Sequence, residues 1–508
     1  MASLRYTSLR YQSVNVLELL KQRTQDNWLV GQDAQAFLAQ TETLAQEFAT
    51  AKQTTQGQSI LLAEPDPMRF LAGFLAAQAT YPQVFLGNSQ WGMVEWQQAL
   101  AIAQPDQIWG NCVYFKQPIA FKQPIAFKQP IAGQNVGLGA TPPSSTPSSH
   151  DKNLIMIPTG GSSGTIRFVM HRWETLAAAA HGLQHYFQIA IVNSLCVLPL
   201  YHVSGFMQFM RSFLSGGRLQ VMTFKALKTG QALPIDPSDW CISLVPTQLQ
   251  ALLTQPALAQ WLSQCKTIFL GGAPSWPQLL AQARAKRLPL APCYGSTETA
   301  AQITTLKPTN FLAGNQSVGQ VLPHAQVTIA NDQGQPVAAG TLGQVQIMAD
   351  SLALGYYPHG WDGHWSKQPS TGSPTSPNVF KTDDAGYLDD QGYLTLVGRL
   401  SNKIITGGEN VFPAEVESAI RATGLVTDVA VLGMPDPYWG QCVTAIYVPH
   451  APALVAEEIC TVLQDTIARF KCPKLWVPVA SLPRNAQGKL NQQTLQGVVN
   501  QWKQDHGL

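Results

Sequence analysis

One pattern limits the folds open to this chain more than any other: short apolar runs that end at a turn-forming or polar residue recur along it, mostly followed by helical stretches. "SILLAEPDPMRFLAGFLAAQAT" is a complete unit of strand, turn and helix, and "VFLGN", "LIMIPTG", "LCVLPLYH", "WCISLVPT", "TIFLGGAP" and "APCYGSTE" repeat its first part. Apolar runs too short for a helix read as strands buried on both faces. Strands alternating with helices predict α/β architecture with parallel-rich sheets, whose ligands collect at the C-terminal strand ends. Polar and Gly-rich residues cluster at those ends. Helical periodicity predicts two further helices near Leu17–Gln22 and Ala36–Ala51.

The texture changes near Val379. "GYLDDQGYLTLVGR" reads as a Gly-punctuated hairpin, and "SNKIITGGENVFPAEVESAI" as a short strand, a Gly-Gly turn and a helix opened by Pro413. The boundary is expected at 399–402, with a large domain over 1–398 and a small α+β domain over 403–508. With 508 residues and 45% hydrophobic composition, the chain is ample for two or three packed cores. Two segments break the pattern. "FKQPIAFKQPIAFKQPIA" (115–132) is a perfect three-fold hexapeptide repeat followed by a Gly-, Pro- and Ser-rich run, read as a local duplication in a surface loop, a tiny β-solenoid being the alternative. "SKQPSTGSPTSPN" (366–378) reads as a second mobile insertion.

Charge points to a small-molecule partner. Only 12% of residues are charged, the formal net charge is +2, and no Lys/Arg block forms, so neither nucleic acid nor a polybasic membrane surface is an expected partner. The N-terminus lacks a secretory apolar core and no run of about 18 apolar residues occurs, so a cytoplasmic protein without stable membrane insertion is expected, as monomer or homodimer. The eight cysteines are scattered, with no Cys-x-x-Cys pair and no zinc spacing, and read as reduced, mostly buried thiols.

"IPTGGSSGTIRFVMH" (157–171) has the small-residue density of a loop that touches phosphate, yet holds no lysine. Gly160 and Gly164 are three residues apart and Thr165-Ile166 follows, so the P-loop of ATPases does not fit. Alone, the segment reads equally as a flexible Gly/Ser linker.

Together the loops resemble the adenylate-forming superfamily of acyl-CoA synthetases, peptide-synthetase adenylation domains and luciferases. "PTGGSSGTIR" resembles its phosphate loop, "PLYHVSG" its aromatic/His motif, "GGAP" and "YGSTE" its adenine and Mg²⁺ segments, "KTDDAGYL" its ribose motif, "GRLSNKIITGGENVFPAEVE" its hinge and following strand, and "PRNAQGKL" its C-terminal lysine motif. The resemblance implies ATP, Mg²⁺ and CoA as cosubstrates and cofactor, and a mobile C-terminal domain. It implies that Thr159, Gly160, Gly161, Ser162, Ser163 and Gly164 hold the β/γ-phosphates with Arg167 beside them, and that Glu298 holds Mg²⁺. Gly272, Ala273, Pro274, Tyr294, Gly295 and Ser296 would form the adenine site, Thr297 would reach the α-phosphate, and Asp384 with Arg399 would hold the ribose. Lys489 would bridge the attacking carboxylate and the α-phosphate; rotation about Ser401 would then bring Gly407, Gly408 and Glu409 in to form the CoA channel.

Singly, these residues have plainer readings. Glu298 is also a helix-start residue, Asp383-Asp384 a turn, Lys489 a surface lysine and Tyr294 a core aromatic. Three positions depart from the superfamily pattern: Ile166-Arg167-Phe168 stands for Pro-Lys-Gly, Thr382-Asp383-Asp384 for Thr-Gly-Asp, and Ser401 for the usual Asp or Lys.

Within the superfamily, "LPLYHVSGFMQFMRSFLSGG" with the phosphate and "GGENVFPAEVE" loops resembles the 2-succinylbenzoate–CoA ligases of menaquinone and phylloquinone synthesis. Such a substrate carries two carboxylates, one activated and one only bound, so a cation is needed deep in the acyl pocket. Arg211, in the otherwise largely apolar "FMQFMRSFL", is the candidate, or else a snorkelling arginine on a helix edge. His202 would gate the pocket or touch the reacting carboxylate, or else be a satisfied strand-end histidine; Ser204, Gly205, Gly271 and Gly295 would line the pocket. Rival readings are another aryl- or fatty-acid–CoA ligase, a stand-alone enzyme loading a carrier protein, and a non-catalytic nucleotide-binding homologue.

Overall fold

The computed structural model describes residues 15–111, 119–122, 153–160, 166–230, 235–358, 365–367, 378–451, 454–464, 466–484 and 490–507. The predicted strand–helix units form two seven-stranded sheets. In the first, Leu154–Gly160, Gln83–Leu86, Ser59–Leu62 and Gln107–Gly110 run parallel in that order. In the second, Leu290–Ser296, Thr267–Leu270, Trp240–Leu244, Asn193–Cys196 and Leu219–Val221 do the same. These strands are apolar and almost wholly buried through their central residues, as parallel strands covered on both faces must be.

Helices separate the two sheets. Pro67–Thr80 begins where the Asp66 side chain accepts the backbone N–H of Arg69 and where proline, which has no N–H to lose, occupies the first turn. It buries Phe70 through Gln78. Val203–Ser215 buries every residue from Gly205 to Phe213 and stops at Gly216, whose φ of 79° a side chain disfavours. One core cluster joins Ile60 and Leu62 of the first sheet, Phe74, Phe206 and Phe209 of the helices, and Cys196 and Leu219 of the second sheet. At its centre Phe74 meets Phe206 edge-on with ring centroids 4.8 Å apart, and Phe209 stacks on Phe213 at 5.2 Å beside Trp28.

A third sheet is antiparallel and contains the expected hairpin: Asn378–Leu388 turns at 389–393 and returns as Leu394–Arg399. A fourth sheet contains only strands from Ile404 onward, with Val426–Asp436 and Gly440–Pro449 as its long antiparallel pair and helix Pro413–Ala422 packed on it. The Gly-Gly turn leads into a second short strand, Glu409–Val411, before that helix begins, because the paired edge Ile404–Thr406 captures it.

Both expected loops are corrected in part. Ile119–Lys122, inside the hexapeptide repeat, is an edge strand antiparallel to Gln107–Gly110, since that strand's outer edge offers unpaired backbone groups to any extended segment nearby. Likewise Trp365–Lys367 pairs with 378–380. The remaining residues of both insertions lie outside the described residues. Of the seven described cysteines, all free, Cys196, Cys241 and Cys265 are buried and the other four are only partly so, fewer than expected, because strands at sheet ends and the small C-terminal domain have thinner cover.

Phe209→Ala leaves a cavity among Trp28, Phe74, Phe206 and Phe213 that rigid neighbours cannot fill. A loss of about 3–5 kcal/mol in unfolding free energy is expected from guanidinium denaturation followed by tryptophan fluorescence; a loss under about 1 kcal/mol contradicts this packing.

Candidate active site

The strand that carries the Gly-rich loop, Leu154–Gly160, returns as Ile166–Arg172, with Thr159 opposite Arg167 and Gly160 opposite Ile166. Gly161, Ser162, Ser163, Gly164 and Thr165 lie outside the described residues. Beyond the return strand runs Tyr356–Tyr357, with Tyr356 opposite Val169. The Arg167 guanidinium stands 4.1 Å from the centre of the Tyr356 ring, and the Tyr356 hydroxyl donates to Glu298 Oε1 at 2.5 Å. A cation, an aromatic ring and a buried carboxylate thus stand in series.

Glu298 sits in the tight turn Thr297–Thr299, closed by a hydrogen bond from the Ser296 N–H to Thr299 Oγ1 and followed by Ala300 and Ala301 at φ 54° and 77°. Two non-glycine residues at positive φ are a strained arrangement that surrounding bonds must hold. Those bonds are present. The Ala353 N–H donates to the Glu298 carbonyl at 2.8 Å, the Ser351 hydroxyl donates to the Thr299 carbonyl at 2.9 Å, and His171 Nε2 donates to the Thr297 carbonyl at 2.7 Å. Burial drives the His171 pKa down to about 4, so the ring is neutral with its proton on Nε2.

Tyr294 and Asp384 come from different sheets and meet directly: the Tyr294 hydroxyl donates to Asp384 Oδ2 at 2.7 Å, and Arg399 Nε lies 3.6 Å from Oδ1. Burial raises the Asp384 carboxyl against the pull of that hydrogen bond and of Arg399, with Glu298 close enough to raise it further. Burial, then the neighbouring Asp384, pushes the Tyr294 phenol well above its ordinary value. Tyr294 is therefore a core aromatic, packed on the third sheet's cluster, that also spends its hydroxyl on Asp384. Gly295 is obligatory here: a Cβ would lie 1.6 Å from the Ala301 carbonyl oxygen.

Two of the three departures from the superfamily pattern are bonded to one another. The Ser401 hydroxyl and N–H both donate to the Asp383 carboxylate, the latter at 2.9 Å, and the Leu400 N–H donates to the Asp383 carbonyl at 2.7 Å.

On the acyl side, His202 occupies the N-cap position of Val203–Ser215 with its ring 4.5 Å from that of Tyr201. The Ser204 carbonyl accepts from Gln208, and Gly205 presses on backbone, since a Cβ there would lie 2.2 Å from the Pro199 oxygen; that side of Gly205 faces the chain, not a cavity. Gly271 approaches Cys293 less closely, with a would-be Cβ 2.8 Å from its Sγ, and Gly272, Ala273 and Pro274 form the turn after Thr267–Leu270, Gly272 at φ 80°. Arg211 does not snorkel. It is 4% exposed, its guanidinium lies 5.7 Å from the Phe269 ring, and its Nε has no hydrogen-bond partner among the described residues. Burial lowers its pKa to about 10.

Gly407, Gly408 and Glu409 make a hairpin turn in the fourth sheet, where the Gly407 N–H donates to the Trp439 carbonyl; no hydrogen bond among the described residues joins them to Tyr294, Glu298 or Asp384. Lys489 lies outside the described residues. An open groove of about 830 Å³ between Ala34–Thr55 and 79–80 shares no residue with this site. Sequence reasoning missed Tyr356 and His171. Each acts through a tertiary contact, and only the "ALGYY" tyrosines offered a signal, an aromatic pair after a glycine.

Residues 36–357 match the model of the AMP-binding enzyme family, and residues 415–489 that of its C-terminal domain. The chain belongs to the AMP-binding enzyme family. A 2-succinylbenzoate–CoA ligase of Enterococcus faecalis is 32% identical over 346 residues, 68% of this chain and 69% of that relative; an indoleacetate–CoA ligase of Aromatoleum aromaticum is 31% identical over 68% of this chain and 67% of its own. The fold matches o-succinylbenzoate CoA synthetase from Bacillus subtilis, solved with its acyl-adenylate intermediate, at a TM-score of 0.74 and 23% identity, over 94% of this chain and 97% of that one. In this AMP-binding enzyme, Tyr294, Glu298, Asp384 and Arg399 are thus brought together around the end of one strand.

His171 makes the enzyme acid-sensitive. Its folded pKa of about 4 lies below the ordinary 6.5, so its contribution is complete above about pH 6.5 and is lost as pH falls toward 4, by about 3 kcal/mol, because only the unfolded chain takes up the proton. In His171→Asn the slope of unfolding free energy against pH between 6.5 and 4 should fall by about one proton; an unchanged slope contradicts the assignment.

Proposed function

We propose that this AMP-binding enzyme, an AMP-forming acid–CoA ligase, joins 2-succinylbenzoate to CoA, giving 2-succinylbenzoyl-CoA, AMP and diphosphate, as in menaquinone or phylloquinone synthesis. The observation that carries the substrate is Arg211: a buried guanidinium with an unpaired Nε, beside aromatic and thiol groups and with no ion pair to a carboxylate among the described residues. A buried cation without a partner is costly, and a substrate with a second carboxylate supplies the partner. A monocarboxylic acid, as in the indoleacetate relative, leaves Arg211 unanswered.

The reaction has two steps. One carboxylate oxygen of the acid attacks the α-phosphorus of ATP and diphosphate leaves; the CoA thiolate then attacks the acyl carbon of the mixed anhydride and AMP leaves. Tyr294 packs against adenine and, through its hydroxyl, orients Asp384, whose carboxylate accepts the ribose hydroxyls with Arg399 alongside. Thr159 and the 160–164 loop hold the departing phosphates and Thr297 the α-phosphate. Glu298 suits Mg²⁺, a cation usually held by one or two carboxylates plus phosphates and water; Tyr356 donates to only one of its oxygens. Bound there, the ion neutralises charge growing on the leaving group. Lys489 steadies the attacking carboxylate in the first step. The Gly407–Glu409 turn approaches in the second, after rotation at Ser401. His202 stands at the acyl entrance.

ATP-dependent thioester formation with a panel of acids tests the reading: 2-succinylbenzoate should be preferred, and its equal or worse turnover than monocarboxylic acids sinks it. Arg211→Ala should raise KM for the diacid about 10- to 100-fold and that for ATP less than about twofold. Arg167, standing over Tyr356, braces the Glu298 carboxylate. Arg167→Ala should lower the adenylation rate about tenfold and raise the Mg²⁺ requirement, whereas Arg167→Lys, which keeps a cation over the ring, should retain most of both. Two variants indistinguishable from the parent remove this role.

A further inference from the structure

Residues 400–403 link the third sheet, whose strand Leu394–Arg399 ends there, to the fourth, whose first strand begins at Ile404; the two sheets share no strand. One residue holds the near end of that link. Asp383 lies on strand Asn378–Leu388 next to Asp384, and its carbonyl accepts the Leu400 N–H at 2.7 Å, continuing by one residue the pairing of Asp384 with Arg399. Its carboxylate takes two further donors from Ser401, the backbone N–H on Oδ1 at 2.9 Å and the hydroxyl on Oδ2. Both bonds are charge-assisted. A glycine at 383, the usual residue of the superfamily, would keep the bond to Leu400 and offer Ser401 nothing.

These bonds leave one rotation open. The peptide plane fixes the Ser401 N–H, and the hydroxyl hangs from Cβ on the far side of the N–Cα bond, so a single carboxylate that holds both donors also holds φ of Ser401. The next soft bond is Cα–C. Turning there must open the turn closed by the Lys403 N–H and the Leu400 carbonyl at 3.2 Å, whereas all three bonds to Asp383 survive. In the orientation seen, the two parts also meet elsewhere: a Cβ at Gly398 would lie 2.9 Å from Phe412 Cδ1, and the Arg421 guanidinium lies 5.6 Å from the Trp276 ring.

We infer that Asp383 is a positioning residue: it makes Ser401 a fixed bearing, confines turning of the fourth sheet and its helices to the Ser401 Cα–C bond and the residues after it, and so aims the Gly407–Glu409 turn for thioester formation. This deepens, and rests on, the two-step reading above. Without the carboxylate φ of Ser401 is loose as well, and the turning part spreads over more orientations. The present orientation keeps its contacts at Phe412 and Trp276, so the loss falls chiefly on the step that turns away from it.

Single-turnover measurements on the full chain, with the acid the parent turns over best, separate the half-reactions. Diphosphate release without CoA reads the first, and thioester formation on adding CoA to the enzyme-bound adenylate reads the second. Asp383→Ala and Ser401→Ala should each slow the second about fivefold more than the first, a ratio that a general loss of folded enzyme does not move. Ser401→Thr, which keeps the hydroxyl, should bring the ratio back to within about twofold of the parent's. The double variant should be no worse than Asp383→Ala alone, which already removes every bond to the Ser401 side chain. An unchanged ratio in both single variants, or additive losses in the double, overturns the proposal. If Asp383→Ala does not fold, Ser401→Ala against Ser401→Thr decides by the same ratio. A parent that forms no thioester removes the two-step reading and this proposal with it; a parent that forms it, with variants that keep its ratio, removes only the role of Asp383.

Discussion

The close approach of two backbones at Gly295 is the constraint on which the site depends. A side chain there would place its Cβ 1.6 Å from the Ala301 oxygen, so only glycine lets Leu290–Ser296, the last parallel strand of the second sheet, pair antiparallel with Ala301–Thr305. The pairing forces the chain to reverse within Thr297–Ala300. That reversal is strained, as the positive φ of Ala300 and Ala301 records, and it is held by His171 from one segment and by Ser351 and Ala353 from another. Glu298 is carried on the reversal and Tyr294 on the strand before it, so one backbone contact sets both the carboxylate under Tyr356 and the phenol that holds Asp384.

Around this turn the charged side chains are answered in different ways. Arg399 and Asp384 face each other at 3.6 Å, Arg399 half in solvent, where an ion pair is weak. Arg211 is the opposite case, buried beside Phe269 with no acid paired to it among the described residues. Arg167 lies between the two, its guanidinium occupied by the Tyr356 ring. Asp383 and Ser401, two departures from the superfamily pattern, are hydrogen-bonded to each other, which makes them a single local change.

Much of the architecture was legible because it follows from local chemistry. The apolar runs became the predicted strands, helix Ala34–Thr55 extended the predicted 36–51, and the Asp389–Gly392 turn closed the predicted hairpin. The misreadings came where pairing partners were remote. Nothing local in "FKQPIA" announces an edge strand, since its partner Gln107–Gly110 supplies the reason. The same holds for Tyr356 and His171, whose hydrogen bonds reach 58 and 126 residues along the chain.

The order of strands and helices and the positions of the glycine turns follow from the sequence alone, because backbone conformation and apolar periodicity act over a few residues. Only the tertiary structure decided which charges are paired. Whether Arg211 snorkels or is buried, whether Arg167 meets a ring, and whether Tyr294 only packs or also bonds Asp384 depend on what packs from another sheet. Desolvation and hydrogen bonding are settled by neighbours in space, not along the chain.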